Sequence, residues 1–463
     1  MGIEQPPNIE RIVSLQHEFF GSGRSKDVGF RLENLKKLSM LTEKFENDII
    51  GAAAADLGKS ETETYTSEIF YVQNEIKYFI GNLRKLVKAR RYKTPLINMP
   101  GSSRVIREPY GTAVIIGPWN YPFGLLFTPI AGAMAAGNCI IAKPSEIAKN
   151  TSLLISKLVN DNFPQEYFIA VEGDASAVRE ILSLKVDYVF FTGSTNTGRE
   201  IMKLAAEGLI PLTMELGGKN PAVVDTDIDL DTAVRRIIWG KFFNSGQTCV
   251  APDFALVHNR IEKDFLNKSA EVLAEFYGNS HTEGATSGII NEKHFERLIN
   301  LLDWGEIIAG GQANREKLYI PPTIIRGTDF NHPIMQEEIF GPILPVIAYE
   351  SLDDAARRLS ELPAPLCIYF FSRDKSKQDY ITRKTRSGSV CINGTIHIIL
   401  SGNLPFGGIG PSGMGAYHGR ASFEAFTFPR PVLKKSFLFD SKYLYPPYKT
   451  PLKTLKKVLK YFY

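Results

Sequence analysis

Apolar residues fall into two kinds of pattern along the chain. Over residues 9–50 and 62–90 they recur at helical spacing among Lys, Glu and Asn, as in Ile69, Val72, Ile76, Phe79, Ile80 and Leu83, which predicts long surface helices. From Ser103 onward they fall into short runs rich in β-branched and aromatic residues. Val105-Ile106, Ala113–Ile116, Cys139–Ala142, Tyr167–Val171 and Tyr188–Phe191 read as strands, with helical segments between most of them. That alternation predicts an α/β fold, a parallel sheet covered by helices on both faces. Thr128, Pro129 and Gly137 read as the N-cap, first residue and terminating glycine of one connecting helix. A second α/β unit follows Asn220, with a helix over 230–243 and a strand over 254–258, and two further strands flank a short helix within 365–395. No flexible linker separates the units, so interleaved domains are expected.

Composition narrows this picture. The chain has 463 residues, 44% hydrophobic and 22% charged, which fits a globular enzyme of roughly two to four domains. A net charge of +4 is too small and too dispersed for nucleic-acid binding. The four cysteines show neither disulfide nor zinc spacing, so a reducing, cytoplasmic setting is expected and no metal site. The start lacks the basic and apolar regions of a secretory signal. The charge-free stretch 109–142 is too interrupted by Pro118, Pro122, Pro129 and five glycines to be a membrane span.

Ligands of parallel sheets lie beyond the carboxyl ends of the strands, so the loops at those ends are the candidates for chemistry. They are Gly117-Pro-Trp-Asn120-Tyr-Pro-Phe123, Lys143-Pro-Ser-Glu146 and Thr192-Gly193-Ser194-Thr-Asn-Thr-Gly198. The last opens a helix, and the N–H groups of a glycine-flanked helix start suit a pyrophosphate. Arg199-Glu200 stands where a P-loop needs Lys-Ser/Thr, which excludes that motif. The G-x-G-x-x-G match at Gly408–Gly413 follows no strand and contains Pro411, so it reads as a tight loop. Glu215, alone among Leu212, Met214 and Leu216, is either the partner of a buried base or a carboxylate tuned towards neutral pH. Cys249 differs from Cys139, Cys367 and Cys391, which sit in apolar strand-like runs. It follows the small and polar run Asn244-Ser-Gly-Gln-Thr248, where a reactive thiol can meet a substrate.

The last twenty-odd residues carry Lys442, Lys449, Lys453, Lys456, Lys457 and Lys460 without an acid, while Leu452, Leu455, Leu459 and Phe462 fall at near-helical spacing. This predicts a short basic amphipathic helix. Two readings are open: a peripheral contact with an anionic membrane surface, or a cover over the protein's own substrate tunnel or a partner subunit.

Taken together, Phe191-Thr-Gly-Ser-Thr, Glu215-Leu-Gly-Gly-Lys, Gly246-Gln-Thr-Cys249 and Glu338-Ile-Phe-Gly-Pro resemble the signatures of the aldehyde dehydrogenase superfamily, in its order, across residues 10 to 435. Thr248 before the cysteine, Gly413-Met-Gly-Ala-Tyr-His418-Gly and Phe423-Glu-Ala-Phe426 are similar to the class 3, fatty-aldehyde-type branch.

The resemblance implies a Rossmann-type NAD(P)-binding domain over 1–91 and 112–211 and an α/β catalytic domain over 212–400. It also implies an oligomerisation β-element from 92–111 and 401–435, with 436–463 as the basic tail. Cys249 would be the nucleophile, Asn120 an oxyanion donor and Glu215 the base that activates hydrolytic water. Lys143, Glu146, Gly193, Ser194, Gly198, Glu338 and Phe340 would bind the cofactor, Glu338 being chosen over Glu337 only by the Ile-Phe-Gly-Pro that follows. Glu146 would repel a 2′-phosphate and Lys143 would attract it; NAD is the expected cofactor, with NADP also accepted in this branch. A homodimer is implied, acting on medium or long-chain aliphatic or aromatic aldehydes along walls drawn from Tyr65, Tyr121, Phe123, Phe242 and Phe243. A CoA-acylating relative and a catalytically silent structural relative are the alternatives. Glu215 speaks against the first, and the intact Cys249, Asn120 and Glu215 against the second. His418 reads as a buried, hydrogen-bonded histidine.

Overall fold

The computed structural model describes residues 8–278, 287–440 and 445–462. The reading of the amino terminus and Lys442 of the tail lie outside them. Two sheets organise the chain. In the six-stranded sheet the order is Gly413–Met414, Leu212–Glu215, Tyr188–Thr192, Thr112–Ile116, Cys139–Lys143 and Phe168–Ala170, parallel except for the first. The chain runs outward from Thr112–Ile116 in one direction, then returns to its other side at Tyr188–Thr192. The strand order therefore reverses between these two, and the crevice beyond Ile116 and Thr192 is where such a sheet binds ligand.

Leu216–Asn220 carries the chain into a seven-stranded sheet. Its order is Glu306–Ala309, Thr323–Arg326, Ile343–Tyr349, Phe254–His258, Pro221–Val224, Cys367–Phe371 and Ser389–Ile392. Only Glu306–Ala309 runs antiparallel. The central strands of both sheets are buried along their whole length, as parallel strands covered on two faces must be. A third sheet is antiparallel, with Gly101–Pro109 between Arg90–Tyr92 and Thr427–Lys435. Val105-Ile106 belongs to this ribbon, whose strand Thr427–Lys435 is largely exposed.

The connecting helix departs from its expected start. It runs Gly124–Ala136, so Pro129 lies inside it, and Gly137 ends it in a left-handed conformation (φ 98°). What replaces Thr128 as the cap is a carboxylate from elsewhere in the chain: Glu68 Oε2 accepts from the N–H groups of Phe123 and Gly124, both at 2.9 Å. A buried anion at a helix start satisfies otherwise orphaned donors and meets the positive end of the dipole. Sequence spacing could not show a cap supplied from 56 residues away.

The tail forms the expected helix, Leu452–Phe462, with Leu452, Leu455 and Leu459 still partly exposed at 65%, 39% and 38%. Among the described residues no helix is long and apolar enough to cross a membrane.

Candidate active site

Asn120, Glu215 and Glu338 gather around the Cys249 loop: the Asn120 amide bonds to it and both carboxylates bear on the thiol. Cys249 sits on a loop of unusual backbone. The helix Leu230–Phe242 breaks into Asn244 (φ 51°) and Ser245 (φ 51°), both left-handed, followed by Gly246 (φ 69°). Non-glycine residues in that region cost on the order of 1–3 kcal/mol each and persist only where their surroundings over-determine them. Here they do. Asn244 Nδ2 donates to the Asn120 carbonyl (3.0 Å) and the Gln247 carbonyl (3.2 Å), and Ser245 Oγ donates to the Ser287 carbonyl. Gly246 is held against Gly341 by a close approach that no Cβ would fit. Downstream, Asn220 Nδ2 donates to the Cys249 carbonyl (2.7 Å) and the Ala251 carbonyl (3.1 Å), while its Oδ1 accepts from Cys367 N–H (2.9 Å).

Cys249 is partly exposed, as is Cys391, whereas Cys139 and Cys367 are buried. The titration of the Cys249 thiol is pushed well up, first by desolvation and then by the charges of Glu338 and Glu215. Both carboxylates are therefore close enough to act on it. Asn120, 3% exposed, points its amide at the same loop, with Nδ2 donating to the Gln247 carbonyl at 2.9 Å. The second hydrogen of that amide remains for another acceptor. Tyr121 OH pairs with Thr248 Oγ1 at 2.6 Å, beside the nucleophile.

Glu215 shows no ion-pair partner among the described residues. It is 3% exposed, and neither oxygen has a hydrogen-bond partner among the described residues. Burial alone raises its pKa well above the usual carboxylate range, with no buried base to offset it. A buried carboxyl group left this way is costly, so it marks a place where another molecule completes the hydrogen bonding. The Gly408–Gly413 loop closes over this strand end as a tight turn: Gly413 pairs with Glu215, and Leu216 N–H donates to the Ser412 carbonyl at 3.1 Å.

The residues expected to bind a cofactor take several positions. Ser194 caps the helix Thr195–Glu207, its Oγ accepting from Thr197 N–H at 3.2 Å, and Gly193 N–H donates to the Glu215 carbonyl at 3.0 Å. Gly198 is buried in the first turn, where an added Cβ would meet the Leu216 side chain at 2.8 Å; it brings helix and strand exit together. Lys143, 2% exposed, ends its strand and donates from Nζ to Glu146 Oε2 (2.7 Å) and the Pro144 carbonyl (2.9 Å). Glu338, not Glu337, faces the site. Its carboxylate lies against Gly217 where a Cβ would stand, and burial lifts its pKa to about 8. Glu337 is exposed and uses its carbonyl to accept from Lys219 Nζ at 2.9 Å. Phe340 is left-handed (φ 48°) and packs edge-on against Trp119 with ring centroids 5.3 Å apart.

The expected apolar walls divide. Phe123 and Phe242 are wholly buried in the main core, Phe123 stacked on Phe127, so they are packing residues; each lies on a connecting helix or its lead-in, facing inward. Tyr121 and Phe243 do stand near Thr248, and Trp239 packs on Phe243 with centroids 6.0 Å apart. Tyr65 is 40% exposed. His418 is 2% exposed, bonded through Nε2 to Tyr71 OH, and driven by burial to a pKa of about 3, so it stays neutral.

A cysteine, an amide, an unpartnered buried carboxylate and a capped helix start beyond a strand-order reversal form a constellation for acyl chemistry beside a nucleotide. The sequence profile described as the aldehyde dehydrogenase family matches residues 5–432. The chain belongs to the aldehyde dehydrogenase family. Among its relatives is the 4,4'-diaponeurosporen-aldehyde dehydrogenase of Staphylococcus aureus, 42% identical over 96% of this chain and 97% of that protein. The "aldehyde dehydrogenase, dimeric NADP-preferring" of Mus musculus is 39% identical, over 95% and 98%. The substrate-bound structure of Staphylococcus aureus AldH superposes with a TM-score of 0.95 at 40% identity, covering 98% of this chain and 100% of that one. This aldehyde dehydrogenase therefore oxidises aldehydes with NAD(P)+, and its fold is that of the family.

Four residues of the site were not legible as functional: Lys59, Glu68, Asn220 and Tyr71. The first two form an ion pair at 2.6 Å with side chains 0% exposed. Glu68 falls within a helical pattern, whereas Lys59 stands in the break between two helices and carries no such signal.

Proposed function

We propose that this aldehyde dehydrogenase converts medium or long-chain aliphatic or aromatic aldehydes to carboxylic acids through a covalent intermediate on Cys249. The Cys249 sulfur, as thiolate, adds to the carbonyl carbon, and the Asn120 amide and Cys249 N–H hold the resulting oxyanion. NAD(P)+ bound beside the site supplies the hydride acceptor. Oxidation leaves a thioester on Cys249. Glu215 then takes a proton from water, which attacks the thioester and frees the acid. The observation that carries this reading is Glu215: a buried carboxylate with both oxygens unpartnered and a raised pKa, acting electrostatically on the nucleophile. A base for water is needed for hydrolysis and not for transfer to CoA.

The residues present fit a dinucleotide. Ser194 and the helix Thr195–Glu207 would take the pyrophosphate, Lys143 and Glu146 a ribose, and Glu338 with Phe340 the nicotinamide end. NAD is the preferred cofactor in this reading, because Lys143 is already engaged by Glu146 and a 2′-phosphate would meet the Glu146 carboxylate. Substrate breadth follows from the Trp239, Phe243 and Tyr121 rings leading towards Thr248. A homodimer, as named for the murine relative, would use the exposed strand Thr427–Lys435 as its interface, and the basic tail helix would meet an anionic membrane surface.

The test is a kcat/KM series from acetaldehyde to hexadecanal with NAD+ and NADP+, run on the wild type and on Cys249→Ala. The reading expects the longer aldehydes and NAD+ to be preferred and the variant to be inactive. A preference for the two-carbon substrate contradicts the substrate class, and an active Cys249→Ala contradicts the mechanism.

A further inference from the structure

Beneath the Asn120 turn lies a charged pair that the reaction does not touch. Lys59 follows the left-handed Gly58 that ends helix Glu46–Leu57, and Glu68 stands on the π-helical turn Tyr65–Ile69. Both side chains are fully buried. Lys59 Nζ donates to Glu68 Oε1 (2.6 Å) and to the Asn120 carbonyl (2.8 Å), and it sits 4.0 Å from the centre of the Tyr121 ring. These contacts occupy all the directions an ammonium group offers. Glu68 Oε2 takes the N–H groups of Phe123 and Gly124 at 2.9 Å each. Gly124 packs so closely on Ser67 and Glu68 that an added Cβ would meet the Ser67 carbonyl at 3.0 Å. One ion pair thus grips the turn at its start, through the Asn120 carbonyl, and at its end, through the amides of residues 123 and 124.

We propose that Lys59 and Glu68 are positioning residues that fix the Asn120 amide as oxyanion donor; the inference rests on the reading of Asn120 given above. Two observations connect the pair to the reacting centre. The Asn120 carbonyl it holds is shared with Asn244, the strained residue of the nucleophile loop, and Asn120 Nδ2 donates to Gln247 in that loop. Tyr121, under the Lys59 ammonium, reaches Thr248 through its hydroxyl. A desolvated pair with every donor and acceptor used has one geometry, which suits a group whose aim must hold to a fraction of an ångström.

The experiment is a double-mutant cycle on the full-length enzyme with decanal and NAD+, using Lys59→Met, Asn120→Ala and the double variant. Glu68→Gln, which keeps the shape of the side chain, provides a parallel cycle should Lys59→Met fail to fold. Alkylation of Cys249 by iodoacetamide is measured on every protein, because it needs the thiol but no oxyanion donor. The proposal expects each single substitution of the pair to lower kcat by about 10- to 100-fold, with the alkylation rate and the KM for NAD+ within about threefold of wild type. In the Asn120→Ala background the same substitution should cost less than about threefold further. An equal loss in both backgrounds overturns it, as does an alkylation rate that falls in step with kcat or a wild-type kcat in the pair variants. A wild type that oxidises no aldehyde instead refutes the functional reading, independently of the cycle.

Discussion

The two halves of the active site treat polar groups in opposite ways. Beneath Asn120 the ion pair is fully used: Lys59 and Glu68 engage their donors and acceptors, and the Asn120 carbonyl accepts twice, although Asn244 Oδ1 beside it has no partner among the described residues. The Glu215 carboxylate is unused. Both of its oxygens lack partners among the described residues and its pKa is raised, and the neighbouring Cys249 thiol is made harder to ionise. Satisfied networks give rigidity, and unsatisfied groups retain reactivity at a cost in stability. On the proposed reading the first half aims and the second reacts.

The contrast is broken most severely by removing the reactive sulfur. Cys249→Ala should abolish aldehyde oxidation, a loss on the order of 10⁴-fold or more in kcat, with an unchanged melting temperature. Next in size is the aiming half. Asn120→Ala should lower kcat by about 10²–10³-fold, the usual cost of one oxyanion donor, while NAD+ binding measured by fluorescence titration is retained. A third experiment uses pH. Because burial and two carboxylates raise the Cys249 pKa, alkylation of the free enzyme should climb about tenfold per pH unit and still be rising at pH 9. A plateau near pH 7 would mean that some group here stabilises the thiolate.

A smaller effect isolates the energetic side. Glu75 accepts from Gly419 N–H (2.7 Å) and Ser422 Oγ (3.0 Å), yet burial lifts its pKa from 4.5 to about 7. A carboxyl group with a raised folded-state pKa binds more protons folded than unfolded, so its contribution to stability declines as pH rises from about 4.5 through 7. Glu75→Gln should remove that decline, on the order of 3 kcal/mol at most. Melting temperatures compared from pH 5 to pH 8 would show the variant gaining on the wild type, and parallel curves would contradict it. Smallest of all, Glu146→Gln should raise kcat/KM for NADP+ by about tenfold or less, since one partly exposed charge is removed.

This contrast also explains which parts of the molecule could be read beforehand. The reactive half is local: Cys249 follows a run of small polar residues, Glu215 stands alone in an apolar strand, and Ser194 begins a helix after a strand. Local chemistry leaves local marks. The aiming half is tertiary. Lys59 lies between two helical stretches and Glu68 within one, and only packing against the Asn120 turn brings them inside. For the same reason Thr128-Pro129 imitated a helix start, while the actual cap came from Glu68. Phe123 and Phe242 are adjacent in sequence to site residues but turn into the core, a direction that proximity along the chain does not encode.

The central claim is that Cys249 carries the acyl group and that Glu215 releases it. Its most direct test is mass spectrometry of Glu215→Gln, acid-quenched after mixing with NAD+ and decanal. The account predicts one equivalent of reduced nicotinamide and a decanoyl adduct on the Cys249 peptide that persists, whereas in the wild type it decays. Sustained turnover of Glu215→Gln at the wild-type rate, with no acyl group on Cys249, would contradict it.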